Sequence, residues 1–300
     1  MEAFQHLIKA IMVIVLLYLI AIVMRRKKIL DEGHSLVLAR IVTDLCLPAM
    51  IFISLSDNFI TIKQFGPALE MLFLELFCII LAWFISIKMK FSRPAQGAIV
   101  FCSAFGSSTF LGYPLISQIF PDNPEALAET VLISEIGVGY PIFILGPILA
   151  SYFGSNEADR KALVIASMKF FKSPVFYSLL AGLIWGHFHL PGKENELLAP
   201  VFQTGEVLAS ALTPLAILSI GLMFRMPPIR KILLALGLVV AIKLLLKPYL
   251  AGSLAGLLGF PELWKDLVII LASMPPAILG AVFLRRYGGD STLASALVIS

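Results

Sequence analysis

The chain comes close to repeating itself at an interval of 166 residues. Leu127-Ala-Glu-Thr-Val-Leu-Ile-Ser134 agrees with Leu293-Ala-Ser-Ala-Leu-Val-Ile-Ser300 at its first two and last two positions, and the same interval carries Pro48 onto Pro214. Each copy would cross a membrane an odd number of times. Tandem duplication of an odd-span unit gives two halves of opposite orientation, the plan of many secondary transporters.

A mean hydropathy of +0.94, with 59% hydrophobic and only 14% charged residues, excludes an ordinary soluble domain. A helix needs about 20 apolar residues to cross hydrocarbon. Such stretches fall near 5–24, 36–56, 67–87, 95–120, 125–150, 174–190, 200–223, 231–257, 263–287 and from 292 onward. The expected fold is an all-α polytopic membrane protein, a ten-helix, five-plus-five inverted repeat. Residues 1–150 form the first repeat, 151–172 a cytoplasmic connecting loop, and 173–300 a second repeat. The last helix stops at Ser300 in mid-pattern, as expected of a truncated sequence.

Seventeen of the 23 Lys and Arg fall in alternate loops, from Arg25-Arg26-Lys27-Lys28 to Arg285-Arg286. That asymmetry makes those loops cytoplasmic and places the N-terminus outside, in a multi-pass protein of the plasma (inner) membrane. The net charge of +4 therefore calls for no nucleic-acid partner. Met1-Glu-Ala-Phe-Gln-His lacks a basic n-region, so the first span is expected to remain as an anchor. Cys46, Cys78 and Cys102 lie in apolar spans and are expected as buried thiols.

Two spans carry helix breakers at their centres. The fourth reads Phe105-Gly-Ser-Ser-Thr-Phe-Leu-Gly-Tyr-Pro-Leu115 and the ninth Ser273-Met-Pro-Pro-Ala-Ile-Leu-Gly280. Proline removes a donor and obstructs the preceding turn, and an opened backbone survives in hydrocarbon only inside protein or against a cavity. The expectation is two crossed, discontinuous helices near the midplane, ordinary proline kinks being the alternative. Half-helix N-termini offer N–H groups and partial positive charge to an anionic solute. The candidate substrate-binding residues are Ser107, Ser108, Thr109, Gly112, Pro114, Met274, Pro275, Pro276 and Ala277. Pro48 and Pro214, without neighbouring glycine, are expected only to bend their helices.

Lys243 and Lys247 lie one turn apart inside the eighth span. A buried ammonium must face a cavity, a carboxylate or exposed carbonyls. These lysines either attract the substrate or are paired structurally, for example with the orphan carbonyls where the ninth span breaks. Glu75 and Glu135 are the deepest acids; each either carries a coupling proton or neutralises one of the lysines. Asp44, four residues after Arg40, is expected to pair with it locally. His187 and His189 close the sixth span, too few ligands for a metal site. No metal and no cofactor is expected. An intramembrane enzyme would need a nucleophile–base or metal constellation at depth, and the histidines lie near span ends.

At the broken spans the chain resembles the auxin efflux carrier family. The residues are Phe105-Gly-Ser-Ser-Thr-Phe-Leu-Gly-Tyr-Pro-Leu-Ile116, Met274-Pro-Pro-Ala-Ile-Leu-Gly280, Arg286-Tyr-Gly-Gly-Asp290, Leu47-Pro-Ala-Met-Ile-Phe52 and the Lys243-to-Pro248 pattern. Ser107 stands where family members usually carry Asn, which shortens the reach of that donor and acceptor. The resemblance implies a scaffold of helices one, two, six and seven, with a homodimer formed through it. It further implies a moving domain of helices three to five and eight to ten, which carries a small organic anion across the bilayer by an elevator motion. Carboxylates, auxin-like or dicarboxylate, are the implied substrates. A sodium-coupled symporter of the bile-acid transporter type, and a membrane sensor, are the alternatives.

Overall fold

The computed structural model describes residues 2–154, 160–223 and 229–299; Ser300, Arg225 and part of the 151–172 connection lie outside them. Among the described residues every extended element is helical, as expected where no water is present to satisfy a free N–H or C=O. In chain order the helices are α1 (Glu2–Arg26), α2 (Glu32–Ile41), α3 (Leu47–Ser56), α4 (Phe65–Lys88), α5 (Arg93–Ala104), α6 (Tyr113–Ile119), α7 (Pro124–Leu132), α8 (Tyr140–Phe153) and α9 (Arg160–Met168). They continue with α10 (Pro174–His187), α11 (Ala199–Ser210), α12 (Leu212–Met223), α13 (Ile229–Val239), α14 (Lys247–Leu257), α15 (Glu262–Ala272), α16 (Leu279–Tyr287) and α17 (Ser291–Ile299). Six continuous helical stretches are long and apolar enough to cross a membrane: Ile8–Arg26, Gly33–Ser56, Ile62–Lys88, Pro124–Phe153, Ala199–Met223 and Ile232–Leu257. The spans read at 95–120 and 263–287 are each divided, as the glycines, hydroxyls and prolines at their centres require.

Four of the joins between successive helices are π turns, at Val42–Cys46, Ser108–Gly112, Ile133–Gly139 and Val240–Leu246. Each ends two residues before a proline: Pro48, Pro114, Pro141 and Pro248. Proline donates no hydrogen bond and its ring collides with the carbonyl four residues back. Widening the turn by one residue moves that carbonyl aside without breaking the rod. The wider ladder is explicit where Leu47 N–H donates to Val42 C=O, Tyr140 N–H to Glu135 C=O and Lys247 N–H to Ile242 C=O.

Two sequence expectations are corrected here. Pro48 follows a widened turn, and Pro214 lies in the first turn of α12 after a break at Ala211, where its missing donor costs little. Arg40 and Asp44 do not pair; Asp44 accepts from Thr43 Oγ1 at 3.2 Å. The π turn begins between them and removes the α-helical spacing that would have placed one above the other.

The chain folds as two compact units, each drawing on both halves of the sequence. The first comprises Met1–Ile62, Thr109–Val131 and Phe171–Phe224. Within it α3 packs on α10 so closely that a Cβ at Gly186 would lie 2.4 Å from the Asn58 carbonyl oxygen, which requires glycine there. Ser35 Oγ donates to Ser219 C=O at 2.9 Å and Ser219 Oγ to Ser35 C=O at 3.0 Å, a reciprocal clasp between α2 and α12.

The second unit comprises Lys63–Ser108, Leu132–Phe170 and Arg225–Ser300. Its α4 turns Glu70, Met71, Leu74, Glu75 and Cys78 inward and leaves Leu69, Phe73, Ile80 and Phe84 on the outside. Acids inside and large apolar side chains outside is the arrangement of a helix bathed in lipid. The three cysteines are buried free thiols.

Candidate functional site at the helix crossing

Within the second unit the two interruptions meet. The α5 helix ends at Ala104, and Phe105 turns the chain into an extended conformation (φ −80°, ψ 127°). Gly106 then pairs antiparallel with Pro276 in a two-residue ladder. Ser107 N–H donates to Pro275 C=O at 2.8 Å, and Ala277 N–H donates to Phe105 C=O at 3.0 Å. Neither Pro275 nor Pro276 has a donor of its own, so each unwound segment supplies what the other lacks. The kink alternative is thereby replaced by a paired crossing. The pairing also uses two of the amides, Ser107 and Ala277, that the sequence offers to an anion.

The lysines complete the arrangement. Lys243 and Lys247 are fully buried. Lys247 Nζ lies 2.6 Å from Glu75 Oε1, with both side chains at 0% exposure, and donates at 2.9 Å to the carbonyl of Ala104, the last residue of α5. Lys243 Nζ donates at 3.3 Å to the carbonyl of Ala272, the last residue of α15. Each ammonium therefore caps the C-terminal end of one interrupted helix. Orphan carbonyls and the negative pole of the helix converge there, and a cation is favoured.

Gly106 makes room for this. A Cβ there would lie 2.8 Å from Lys243 Nζ, so any side chain at this position would displace the end of the lysine. The aim of Lys243 comes from the π turn Val240–Leu246, which holds it one residue out of α-helical register with Lys247. Lys243 has no carboxylate within ion-pair distance among the described residues, whereas Glu75 neutralises Lys247. Glu75 Oε2 accepts no hydrogen bond among the described residues.

The remaining candidates divide between the two units. Ser107, Ser108, Met274 and Pro275–Ala277 lie at or next to the crossing, Ser107 and Ser108 being buried. Thr109, Gly112 and Pro114 follow along the chain but belong to the first unit. Glu135 is buried in the π turn Ile133–Gly139, away from the ladder in sequence. Lys243 on the Ala272 carbonyl is the pairing expected with the orphan carbonyls of the ninth span, whereas the contributions of Gly106 and Ala104 were not legible as site residues. His187 and His189 stack on Phe59 with ring centroids 5.8 and 5.2 Å apart from it, an aromatic cluster of the first unit.

Bent, divided helices packed on one another, several of them long and apolar enough to cross a membrane, are the build of a polytopic membrane protein. A family model described as "Membrane transport protein" matches residues 6–300, and the chain belongs to this family, that of the auxin efflux carriers. An uncharacterized transporter of Methanocaldococcus jannaschii is 26% identical over 296 residues, covering 97% of this chain and 92% of that one. An uncharacterized transporter of Methanothermobacter thermautotrophicus is 24% identical over 298 residues, with the same coverage of both chains. A protein of Rhizobium meliloti named "Putative malonate transporter" is 32% identical over 103 residues, 33% of this chain and 32% of its own.

Proposed function

We propose that this protein is a secondary transporter of small organic anions, with its substrate site at the crossing of the interrupted helices. The observation that carries the reading is the pair of lysines sealed there, Lys243 and Lys247, of which only Lys247 has a carboxylate within bonding distance among the described residues. A buried cation is costly in a membrane unless a function or a partner offsets it, and Lys243 donates to the Ala272 carbonyl. The hydroxyls of Ser107 and Ser108 supply hydrogen bonds to the solute, and Met274–Ala277 shape its surroundings. The lysines act through the field they sustain at the crossing. Glu75 and Glu135 are the groups suited to proton or charge coupling.

Transport proceeds by alternating access in a ten-helix inverted repeat, with the two repeats at 1–150 and 173–300 joined through 151–172. The second unit moves as an elevator past a dimeric scaffold in the inner membrane, with the N-terminus outside. An inside-negative potential favours anion export by about 2.3 kcal/mol per charge per 100 mV. The name carried by the R. meliloti relative supports a carboxylate substrate.

The test is uptake into proteoliposomes of labelled malonate, malate, simple monocarboxylates and an indole acid, with and without imposed proton gradients. Saturable uptake of at least one anion, abolished in Lys243→Met and weakened in Ser107→Ala, is the expected result. Saturable uptake that both variants leave unchanged would overturn the assignment of the site. Transport of neutral or cationic solutes in place of any anion would overturn the substrate class.

A further inference from the structure

At one end of the second unit three cations and three aromatic rings form a continuous surface. Lys88 ends α4 with its Nζ 4.4 Å from the ring centroid of Phe84, and Arg93 begins α5 with its guanidinium 4.7 Å from that of Tyr152. The Tyr152 ring meets Trp83 edge to face at 5.6 Å, which ties the two cation–π pairs together through α4 and α8. Trp83, Phe84 and Tyr152 are 37%, 55% and 49% exposed, and Lys88, Lys90 and Arg93 are exposed as well.

Lys90 adds an independent observation. It closes α4 in the left-handed region (φ 59°), with Lys90 N–H on Ile87 C=O and Phe91 N–H on Ser86 C=O. Glycine is the residue that suits this position, and a lysine there is held against its backbone preference. Lys90 is thus a third exposed cation on the short connection between α4 and α5 that also carries Lys88 and Arg93.

No acidic residue occurs between Glu75 and Asp122 or between Glu135 and Asn156. Amphipathic rings and exposed cations at the end of a lipid-exposed helix are matched by an apolar chain beneath an anionic head group. We infer that this surface is a binding site for an acidic phospholipid, whose phosphate is held by Lys88, Lys90 and Arg93 and whose acyl chains lie along Trp83 and Phe84. The site is separate from the crossing and does not depend on what the protein transports.

Tryptophan emission tests it. The protein has three tryptophans, so Trp185→Phe with Trp264→Phe leaves Trp83 as the sole reporter in the full chain. This protein is reconstituted in phosphatidylcholine containing increasing dibrominated phosphatidylglycerol or dibrominated phosphatidylcholine, each of which quenches on contact. Each cation near the head group contributes about fivefold, so phosphatidylglycerol should be preferred at Trp83 by tenfold or more at low salt. Lys88→Gln with Arg93→Gln should reduce the preference to the roughly fivefold that Lys90 alone supplies. Equal quenching by both lipids, or a preference that the double variant leaves undiminished, would overturn the inference. Lys90→Gly separates binding from folding: it should raise the melting temperature while lowering the preference by about fivefold, and an unchanged preference would remove Lys90 from the site. Phosphatidylglycerol retained by the unmodified protein after detergent exchange, measured by mass spectrometry, gives a second readout; its absence would also count against the site.

Discussion

Lys247 Nζ sits 2.6 Å from Glu75 Oε1, and neither side chain has any solvent exposure. The same ammonium reaches the last carbonyl of α5, so one group neutralises an acid and terminates a helix. An ion pair sealed in this way depends on both partners.

Removal of one partner is therefore costly. Glu75→Gln should destabilise the protein by about 3–5 kcal/mol, because it leaves a buried ammonium without its counter-charge. Glu75→Leu combined with Lys247→Met should recover much of that loss, since an apolar pair of similar volume carries no desolvation penalty. Thermal unfolding of the detergent-solubilised protein measures both, and a double variant no more stable than Glu75→Gln would contradict this account.

Gly106→Ala puts a methyl group 2.8 Å from Lys243 Nζ. The lysine must move from the Ala272 carbonyl or the strand must shift, at a cost of about 1–3 kcal/mol. The expected outcome is a folded protein whose saturable uptake falls at least about tenfold, the equivalent of about 1.4 kcal/mol. Retained uptake at the parental level would show that the ammonium does not act at the crossing.

Pro248→Ala restores a backbone donor after the π turn Val240–Leu246 and permits an α-helical ladder. Reversion to α-helix advances Lys243 by one residue, about 100° around the axis, relative to Lys247. Stability should be unchanged or higher, while transport is lost. A variant with normal transport would show that the widened turn does not aim Lys243.

In the first unit, Ser35→Ala and Ser219→Ala each remove one arm of the reciprocal clasp. A double-mutant cycle should give a coupling of about 0.6–1.7 kcal/mol, the range found for hydrogen bonds between membrane helices. A coupling near zero would mean that the two serines act independently.

Much of this was legible in the chain. The apolar stretches and their breakers follow from composition and from the chemistry of proline and glycine. The family resemblance carried by Phe105–Ile116 and Met274–Gly280 is borne out over residues 6–300. The π turns were not legible, although each has a proline two residues beyond it. Two rods of the same sequence pattern, one kinked and one widened, differ only in where a carbonyl goes. The loss of the Arg40–Asp44 pair follows from the same effect, since spacing along an α-helix carries no information across a turn of different width.

The sequence by itself determined that this protein lies in a membrane, where its helices break, and that two lysines must find partners away from water. Tertiary structure alone decided which partners. Glu75 lies 172 positions from Lys247 and Ala104 lies 143 positions away, while Gly106 pairs with Pro276. A carbonyl at the end of a broken helix has no residue type to announce it. Only the meeting of two unwound segments turns those carbonyls, and the lysines that cap them, into one buried electrostatic centre.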